Sequence, residues 1–261
     1  MLLEQKNAVI YGAGGAVGGA VARAFAREGA RVFLTGRTSE TLNAIVQDIV
    51  QAGGRAESAV VDAHDQDAVE RHLGDVIHQA GRVDISFNAI YIGYQQGAPL
   101  VEMSLEEFVP AITDVMRTQF ITTTAAARQM IAQHAGVILA ITATPARVFA
   151  PDSGNFGVAG AAIERLCRQL AGELGPHGVR VVCLRSAGSP DAPVVRRVMA
   201  YLGEQEGISG AEFEARIAER TLLKRLPKLA EIADAAVLAA SEYASAMTGT
   251  VANVTCGEAV D

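Results

Sequence analysis

The stretch "YGAGGAVGGA" (residues 11–20) combines residue types that suit the binding of a phosphate group. It follows a short apolar run and precedes a stretch whose apolar residues recur at helical spacing. Glycines at such a strand-to-helix junction let the backbone turn tightly and let helix N–H groups approach a pyrophosphate. We therefore predict a dinucleotide site at this junction, formed by Gly12, Gly14, Gly15, Ala16, Val17 and Gly18.

The spacing of these glycines follows one of two known frames. The strict frame G-x-G-x-x-G starting at Gly12 requires a glycine at residue 17, where the chain has valine. The frame G-x-x-x-G-x-G fits at Gly12 and Gly18, with Ala16 in its middle position. The alternative is a purely structural turn, in which the glycines only let a helix start close to a sheet.

The residues that follow the second predicted strand bear on the choice of dinucleotide. An acidic residue there would hydrogen-bond a ribose 2′-hydroxyl, whereas a basic residue accommodates a 2′-phosphate. The chain has Gly36, Arg37 and Thr38 at this point and no carboxylate before Glu40. We therefore predict NADP(H) as the cofactor, with Arg37 and Thr38 in its site. An ordinary solvated arginine is the alternative.

Other site types find no support in the sequence. The five histidines and three cysteines show no H-E-x-x-H or C-x-x-C spacing, which predicts no metal site and free thiols in a reducing compartment. The formal net charge is −7 without a run of Lys or Arg, so we expect no nucleic-acid partner. Because no apolar run approaches about 18 residues, we expect no membrane association and a soluble, cytoplasmic protein.

The elements that must position these residues alternate regularly along the chain. Short runs rich in β-branched residues are each followed by a longer helical pattern, which is typical of a parallel sheet covered on both faces. We predict a single α/β domain over residues 1–261, in which the polar, helical segment 187–228 covers the substrate. The predicted strands are 7–12, 31–36, 56–63, 83–90, 136–143, 179–186 and 248–257.

These motifs, in this order, resemble the short-chain dehydrogenase/reductase family over almost the whole chain. The turn is similar to the family's T-G-x-x-x-G-x-G, and "LAGELGPHGVRVVCL" (170–184) is similar to its approach to strand six. "VDA" (61–63) stands where the family has Asp-Val, and "FNAI" (87–90) stands where it has N-N-A-G. The resemblance therefore implies that Asp62 and Ala63 contact the adenine and that Asn88 and Ala89 line the cofactor site.

The same resemblance implies a Rossmann-type, doubly wound parallel sheet, a nicotinamide cofactor and a small-molecule substrate. It also implies a homodimer or homotetramer. We expect the contact to form through the two long predicted helices, about 105–134 and 155–174, since small residues such as "TTTAAA" and "GVAGAA" permit close helix packing.

The catalytic positions of the family hold unexpected residues. In the family a tyrosine, its pKa lowered by a lysine, protonates the carbonyl oxygen, while a serine orients that oxygen and an asparagine holds a water chain. Comparison with this pattern gives Phe156 for the tyrosine, Gly160 for the lysine, Ala143 for the serine and Met116 for the asparagine. A phenyl ring donates no proton and glycine has no charge, so the standard relay is predicted to be absent. Since residue 160 lies within a predicted helix, we expect a lysine to be tolerated there.

A substitute proton donor is available in the sequence. Tyr91 and Tyr94 follow "FNAI", in a loop that lines the nicotinamide end of the cleft in the resembling family. Either phenol can act as a general acid when its pKa is tuned. The alternative is that both only shape an apolar pocket.

Three functions remain open at this point. The first is an NADP(H)-dependent oxidoreductase that acts on a small carbonyl or enone-type substrate with a non-standard proton source. The second is a catalytically inactive nucleotide-binding protein, acting as a sensor or as a partner subunit. The third is a non-redox enzyme that reuses the cleft.

Overall fold

The computed structural model of the chain describes residues 1–90, 99–150 and 153–261. Within these ranges seven strands form one parallel sheet in the order β3-β2-β1-β4-β5-β6-β7. This confirms the predicted doubly wound parallel sheet. The strands are β1 (Asn7–Tyr11), β2 (Arg31–Gly36), β3 (Arg55–Val60), β4 (Ile85–Asn88), β5 (Gly136–Ala143), β6 (Val179–Ser186) and β7 (Thr250–Val254).

Helices follow the strands as the alternation predicts. The stretch around 105–134 is one continuous helix that begins with a capping box, in which the Ser104 and Glu107 side chains bond each other's backbone N–H groups. The helices in the described ranges are α1 (Ala16–Arg27), α2 (Ser39–Gln51), α3 (Gln66–Ala80), α4 (Leu105–Gln133), α5 (Phe156–Leu174), α6 (Pro193–Gln205), α7 (Gly210–Arg220) and α8 (Leu229–Ala240).

The two faces of the sheet bury separate apolar layers. Alternate residues of β1 show the division: Ala8 and Ile10 pack with α1, α2 and α8, whereas Val9 and Tyr11 pack with α3, α4 and α5. Successive side chains of a strand point to opposite faces, so a strand covered on both sides must be apolar throughout. This explains why the strands appear in the sequence as nearly continuous apolar runs.

The order of the strands creates a crevice beside β1. Tyr11, the last residue of β1, pairs with Thr35 of β2 on one side and with Asn88 of β4 on the other. The chain therefore winds outward in opposite directions from β1, and ligands of such sheets bind outside the carboxyl ends of the strands at this switch point. We call the sheet edge at which the strands end the carboxyl edge.

The segment 187–228 forms a helical hairpin with its own small core. Helices α6 and α7 pack on each other around Met199, Phe213 and Leu226. The hairpin closes at its base, where both carboxylate oxygens of Asp191 lie 3.1 Å from the backbone N of Leu229. In the described part of the chain, no helix is both long enough and apolar enough to cross a membrane.

Candidate functional site

The glycine turn joins β1 to α1 at the switch point. Gly12 has a positive φ of 73°, and a Cβ on it would lie 2.9 Å from the backbone of Ala89 and Ile90. A Cβ on Gly18 would lie 2.9 Å from Cα of Ala13. Both positions therefore exclude larger residues, because the turn folds tightly against α1 and the end of β4. The close packing expected of a purely structural turn is therefore present. It occurs together with a helix N-terminus that no side chain caps.

The first turn of α1 is suited to an anion. Gly15 caps the helix without a side-chain hydrogen bond, and the first turn contains no acidic residue. The first N–H groups of any helix lack intrahelical partners and carry the positive end of the helix dipole. These groups lie where the strand order reverses, which is where a pyrophosphate would be bound.

The residues after β2 and β3 lie on the same side of the crevice. Arg37 is exposed directly after β2, and Thr38 is the N-cap residue of α2 without a side-chain hydrogen bond to the helix. The pKa of the Asp62 carboxyl is lowered, chiefly by the hydrogen bond from the backbone N–H of His64, and also by the His64 side chain and the charge of Arg37. The charge of Arg37 is the smallest of these causes, and the direct partner of the Asp62 carboxylate is His64.

Asn88 holds the end of β4 in place. Its amide nitrogen donates to the Thr118 carbonyl (3.3 Å) and the Thr122 hydroxyl (2.9 Å), and its amide oxygen accepts from the Ile90 N–H (3.0 Å). These contacts use the buried side chain to join β4 to α4. The next residue, Ala89, donates its N–H to the Tyr11 carbonyl and forms the wall facing Gly12.

The four residues at the family's catalytic positions lie on neighbouring elements of the carboxyl edge. Met116 lies on α4, Ala143 ends β5, and Phe156 begins α5; all three side chains are half-buried. The start of α5 is fixed to α4, because the Asn155 amide nitrogen donates to the carbonyls of Glu107 and Phe108. Helices α4 and α5 both pack on β5.

The surroundings of Gly160 correct one expectation from the sequence. A Cβ on Gly160 would lie 2.9 Å from the Cβ of Ala146, and a Cβ on Gly157 would lie 2.7 Å from the Pro145 carbonyl oxygen. Helix α5 therefore lies very close to the turn 144–146. The expectation that a lysine is tolerated at residue 160 is wrong for this packing, because α5 or the turn would have to move.

The hydroxyl groups that flank Ala143 are engaged elsewhere. Thr142 donates to the Glu164 carboxylate (3.1 Å), and Thr144 donates to the Glu258 carboxylate (2.7 Å). Both side chains therefore hold neighbouring segments together.

A buried ion pair lies beside these threonines and was not predicted. The fully buried Arg185 guanidinium donates to both carboxylate oxygens of Glu164 at 2.8 Å and to the Asp261 carboxylate at 2.5 Å. The hydrogen bond to Glu164 raises the pKa of Arg185, which keeps it charged. The available signal was a glutamate on the buried face of α5 and an arginine near the end of an apolar strand.

Ser189 is a second residue that the sequence analysis missed. It lies between β6 and α6, is buried, and its hydroxyl has no hydrogen-bond partner among the described residues. A buried hydroxyl without a partner is uncommon in proteins and is a candidate ligand contact.

Two further outcomes concern Tyr91, Tyr94 and metals. Both tyrosines lie outside the described residues, so their role stays a prediction.

No cluster of His, Cys, Asp and Glu suited to a metal ion occurs within residues 1–90, 99–150 and 153–261. The cysteines there are free, with Cys167 and Cys183 buried and Cys256 half-buried.

Comparisons with known proteins place the chain among its relatives. Residues 12–258 match the sequence profile of a family described as enoyl-(acyl carrier protein) reductase. The chain is 28% identical to gluconate 5-dehydrogenase of Gluconobacter oxydans (strain 621H), covering 98% of this chain and 95% of that protein. It is 30% identical to the short-chain reductase protein NovJ of Streptomyces niveus, covering 97% and 94%.

A solved structure shows the same fold with a cofactor in place. The structure of 7α-hydroxysteroid dehydrogenase complexed with NADH and 7-oxo glycochenodeoxycholic acid matches with a TM-score of 0.85 and 27% identity, covering 98% of this chain and 94% of that one. Relatives of this chain therefore bind nicotinamide cofactors. On the family profile, the relatives and the shared fold, the chain belongs to the short-chain dehydrogenase/reductase family of oxidoreductases.

Proposed function

We propose that this protein is an NADP(H)-dependent oxidoreductase for a small carbonyl or enone-type substrate, with a proton source other than the tyrosine–lysine relay. The main observation is the glycine turn at the switch point, where the open N-terminus of α1 lies beside Gly12 and Ala89. Within this assignment residues 1–261 act as one domain, and the hairpin 187–228 covers the substrate.

The residues present fit a dinucleotide. The N–H groups at the start of α1, around Ala16 to Gly18, would hold the pyrophosphate, and Asp62 with Ala63 would contact the adenine. Asn88 would act indirectly by fixing Ala89 through its bonds to α4. The Ser189 hydroxyl, which has no partner among the described residues, supports the presence of a ligand at this edge. When bound, the nicotinamide would supply or accept the hydride.

The choice of NADP(H) rests on charge. A carboxylate at the end of β2 would repel a 2′-phosphate, but this position holds Gly36. The exposed Arg37 follows it, and Thr38 adds a hydroxyl at the start of α2. An arginine pairs with phosphate through charge-assisted hydrogen bonds.

The proposal of a missing relay rests on side-chain chemistry and on packing. Met116, Ala143 and Phe156 contain no group that titrates near neutral pH, and Ala146 fills the space into which a side chain at Gly160 would extend. General acid catalysis contributes about 10²–10⁴-fold, so its loss leaves the contribution of substrate positioning intact. Tyr91 or Tyr94 is the proposed replacement donor.

The test of this function has two steps. Calorimetric titration with NADPH and NADH measures cofactor binding, and we expect NADPH to bind more tightly. Assays with NADPH on aldehydes, ketones and enones then measure oxidation of the cofactor. Failure of both cofactors to bind would overturn the assignment. Binding without turnover on any substrate class would favour the second candidate.

That second candidate is a catalytically inactive nucleotide-binding protein, a sensor or partner subunit. The close contact between Gly160 and Ala146 favours it, because this packing leaves no space for a lysine without movement of α5. The cofactor site is expected in both cases, so cofactor binding alone does not separate the two candidates.

Assembly is also part of the proposal. Exposed apolar residues on the outer side of α4 and α5 support a homodimer or homotetramer formed through these helices: Leu105, Val109, Phe120 and Val158. Light scattering at micromolar concentration tests this, and a monomer would contradict it. The free thiols support a reducing compartment, for which we propose the cytoplasm.

A further inference from the structure

We propose that the substrate of this cleft has an extended hydrocarbon body next to its carbonyl group, and that polyols and sugars are excluded. This inference rests on the proposed function, because it concerns the substrate class of the same cleft. It is supported by the floor of the cleft, by the state of the polar groups around it, and by the loops at its mouth.

We call three of the residues at the family's catalytic positions the floor of the proposed cleft, and all three are apolar. Met116, Ala143 and Phe156 are half-buried and present a thioether chain, a methyl group and a phenyl ring. A hydroxyl group of a sugar placed against them would lose its hydrogen bonds to water and gain none. A methylene group placed there would instead leave water for an apolar surface.

Three described polar residues that are next to this floor in the sequence already make hydrogen bonds. The hydroxyls of Thr142 and Thr144 donate to Glu164 and Glu258, and the Asn155 amide donates to the carbonyls of Glu107 and Phe108. Each would have to break an existing bond in order to donate to a substrate hydroxyl. These bonds disfavour a substrate that needs several donors from this part of the site.

Ser189 differs from these residues. Its buried hydroxyl has no partner among the described residues, and it lies on the connection between β6 and α6 at the carboxyl edge. One such donor suits a substrate with one polar group, which is the reacting carbonyl oxygen.

The mouth of the cleft has large exposed apolar residues on three neighbouring connections. Val101, between β4 and α4, is 93% exposed, and Phe149, between β5 and α5, is 89% exposed. Leu222 and Leu223, near the end of the hairpin, are also exposed. Val101 and Phe149 follow the adjacent strands β4 and β5, and the Leu223 N–H donates to the Cys256 carbonyl just after β7, so these residues lie on the same edge of the sheet. A group of exposed apolar side chains marks a ligand groove or a protein contact, and here we assign it to the ligand.

The experiment measures binding of unbranched 2-alkanones from 2-butanone to 2-nonanone, with a ketohexose as the hydroxylated counterpart. Calorimetry is performed on the whole protein, both with saturating NADPH and without cofactor. We expect the Kd to fall about three- to fourfold for each added methylene that is buried, and the ketohexose to bind more weakly than 2-hexanone. A Kd independent of chain length, or tighter binding of the ketohexose, would overturn the inference.

Variants locate the binding surface. Met116→Asn adds an amide to the floor and should weaken the dependence on chain length, while Phe149→Ser and Val101→Ser should weaken binding of the longest ketones only. Leu238→Ser is the matched control, because Leu238 is an exposed apolar residue of α8, outside the three connections. The opposite outcome is that the Phe149 and Val101 variants bind all ketones as tightly as the native chain and differ from it only in oligomeric state. In that case these residues form a subunit contact, and the inference that they line the mouth of the cleft is wrong.

The cofactor titration separates this inference from the proposed function. Tight NADPH binding together with a flat alkanone series rejects the hydrocarbon substrate and leaves the oxidoreductase assignment standing. A clear alkanone series without NADPH or NADH binding supports the apolar cleft and rejects the assignment of function.

Discussion

Ala146 leaves no room for a side chain at Gly160, because a Cβ on Gly160 would lie 2.9 Å from the Cβ of Ala146. Helix α5 can approach the turn after β5 this closely only because one of the two residues lacks a side chain. The absence of a lysine at residue 160 is therefore linked to the position of a whole helix. Restoring the family's relay requires a change on both sides of this contact.

The first prediction follows from that contact. The variant Ala143→Ser/Phe156→Tyr/Gly160→Lys should be destabilised relative to the native chain by about 1–3 kcal/mol, which is typical of overpacking. Adding Ala146→Gly removes the obstructing methyl group and should recover part of that loss. If the cofactor is seated correctly, kcat for ketone reduction should be higher in this quadruple variant than in the native chain. The increase should lie within the range of about 10²–10⁴-fold that general acid catalysis supplies.

Urea unfolding and steady-state kinetics with NADPH measure these two effects. The single variant Ala146→Gly serves as the control, since it removes the methyl group without adding a relay. If the triple and quadruple variants are equally stable and turn over ketones equally fast, Ala146 does not restrict residue 160.

The second prediction concerns the cofactor. Arg37→Ala removes the positive charge after β2 and should weaken NADPH binding by about tenfold to 100-fold, the range expected for a hydrogen bond to a charged group. NADH has no 2′-phosphate, so its Kd should change little. Arg71→Ala is a suitable control, because Arg71 is an exposed arginine on α3. Equal affinity of the native chain for NADPH and NADH would contradict the prediction.

The sequence was sufficient to predict the sheet because local composition determines it. The strands β2, β5 and β6 have the predicted bounds, since their runs of apolar residues coincide with strands covered on both faces. The other four predicted strands were too long. The stretch 7–12 pairs over Asn7–Tyr11, 56–63 over Arg55–Val60, 83–90 over Ile85–Asn88 and 248–257 over Thr250–Val254. After β3 the backbone turns at Asp62, whose carboxylate accepts from the N–H of His64.

Contacts between residues that are distant along the chain could not be predicted from the sequence. Gly160 and Ala146 lie on a helix and a turn whose separation is set by the packing of the whole layer. Glu164 and Arg185 are 21 residues apart and meet because α5 packs beside β6. No periodic pattern encodes either distance. The glycine turn was predictable because its function and its conformation both depend on adjacent residues.

The third prediction tests the buried ion pair. Arg185→Leu leaves the Glu164 carboxylate buried without its main partner, and the free energy of unfolding should fall by about 3–5 kcal/mol. The double variant Glu164→Leu/Arg185→Leu removes both charges and should be less destabilised than the single one. Arg168→Ala is the matched control: Arg168 is an exposed arginine that lies 3.5 Å from the same carboxylate, and its loss should cost less than about 1 kcal/mol. Urea unfolding measures all three; equal losses for Arg185→Leu and Arg168→Ala would contradict the prediction.

The last prediction concerns the source of the proton. If Tyr91 or Tyr94 donates it, the corresponding Tyr→Phe variant should lose about 10²–10⁴-fold in kcat for ketone reduction, while the Kd for NADPH stays unchanged. The other Tyr→Phe variant is then the matched control, since it removes an equivalent hydroxyl from a tyrosine close by in the sequence. Loss of activity in neither variant would indicate that solvent supplies the proton, and the rate should then lack a pH dependence set by a tyrosine–lysine pair. A native chain that reduces ketones at rates ordinary for the family, and that keeps them in the variant Tyr91→Phe/Tyr94→Phe, would contradict both versions.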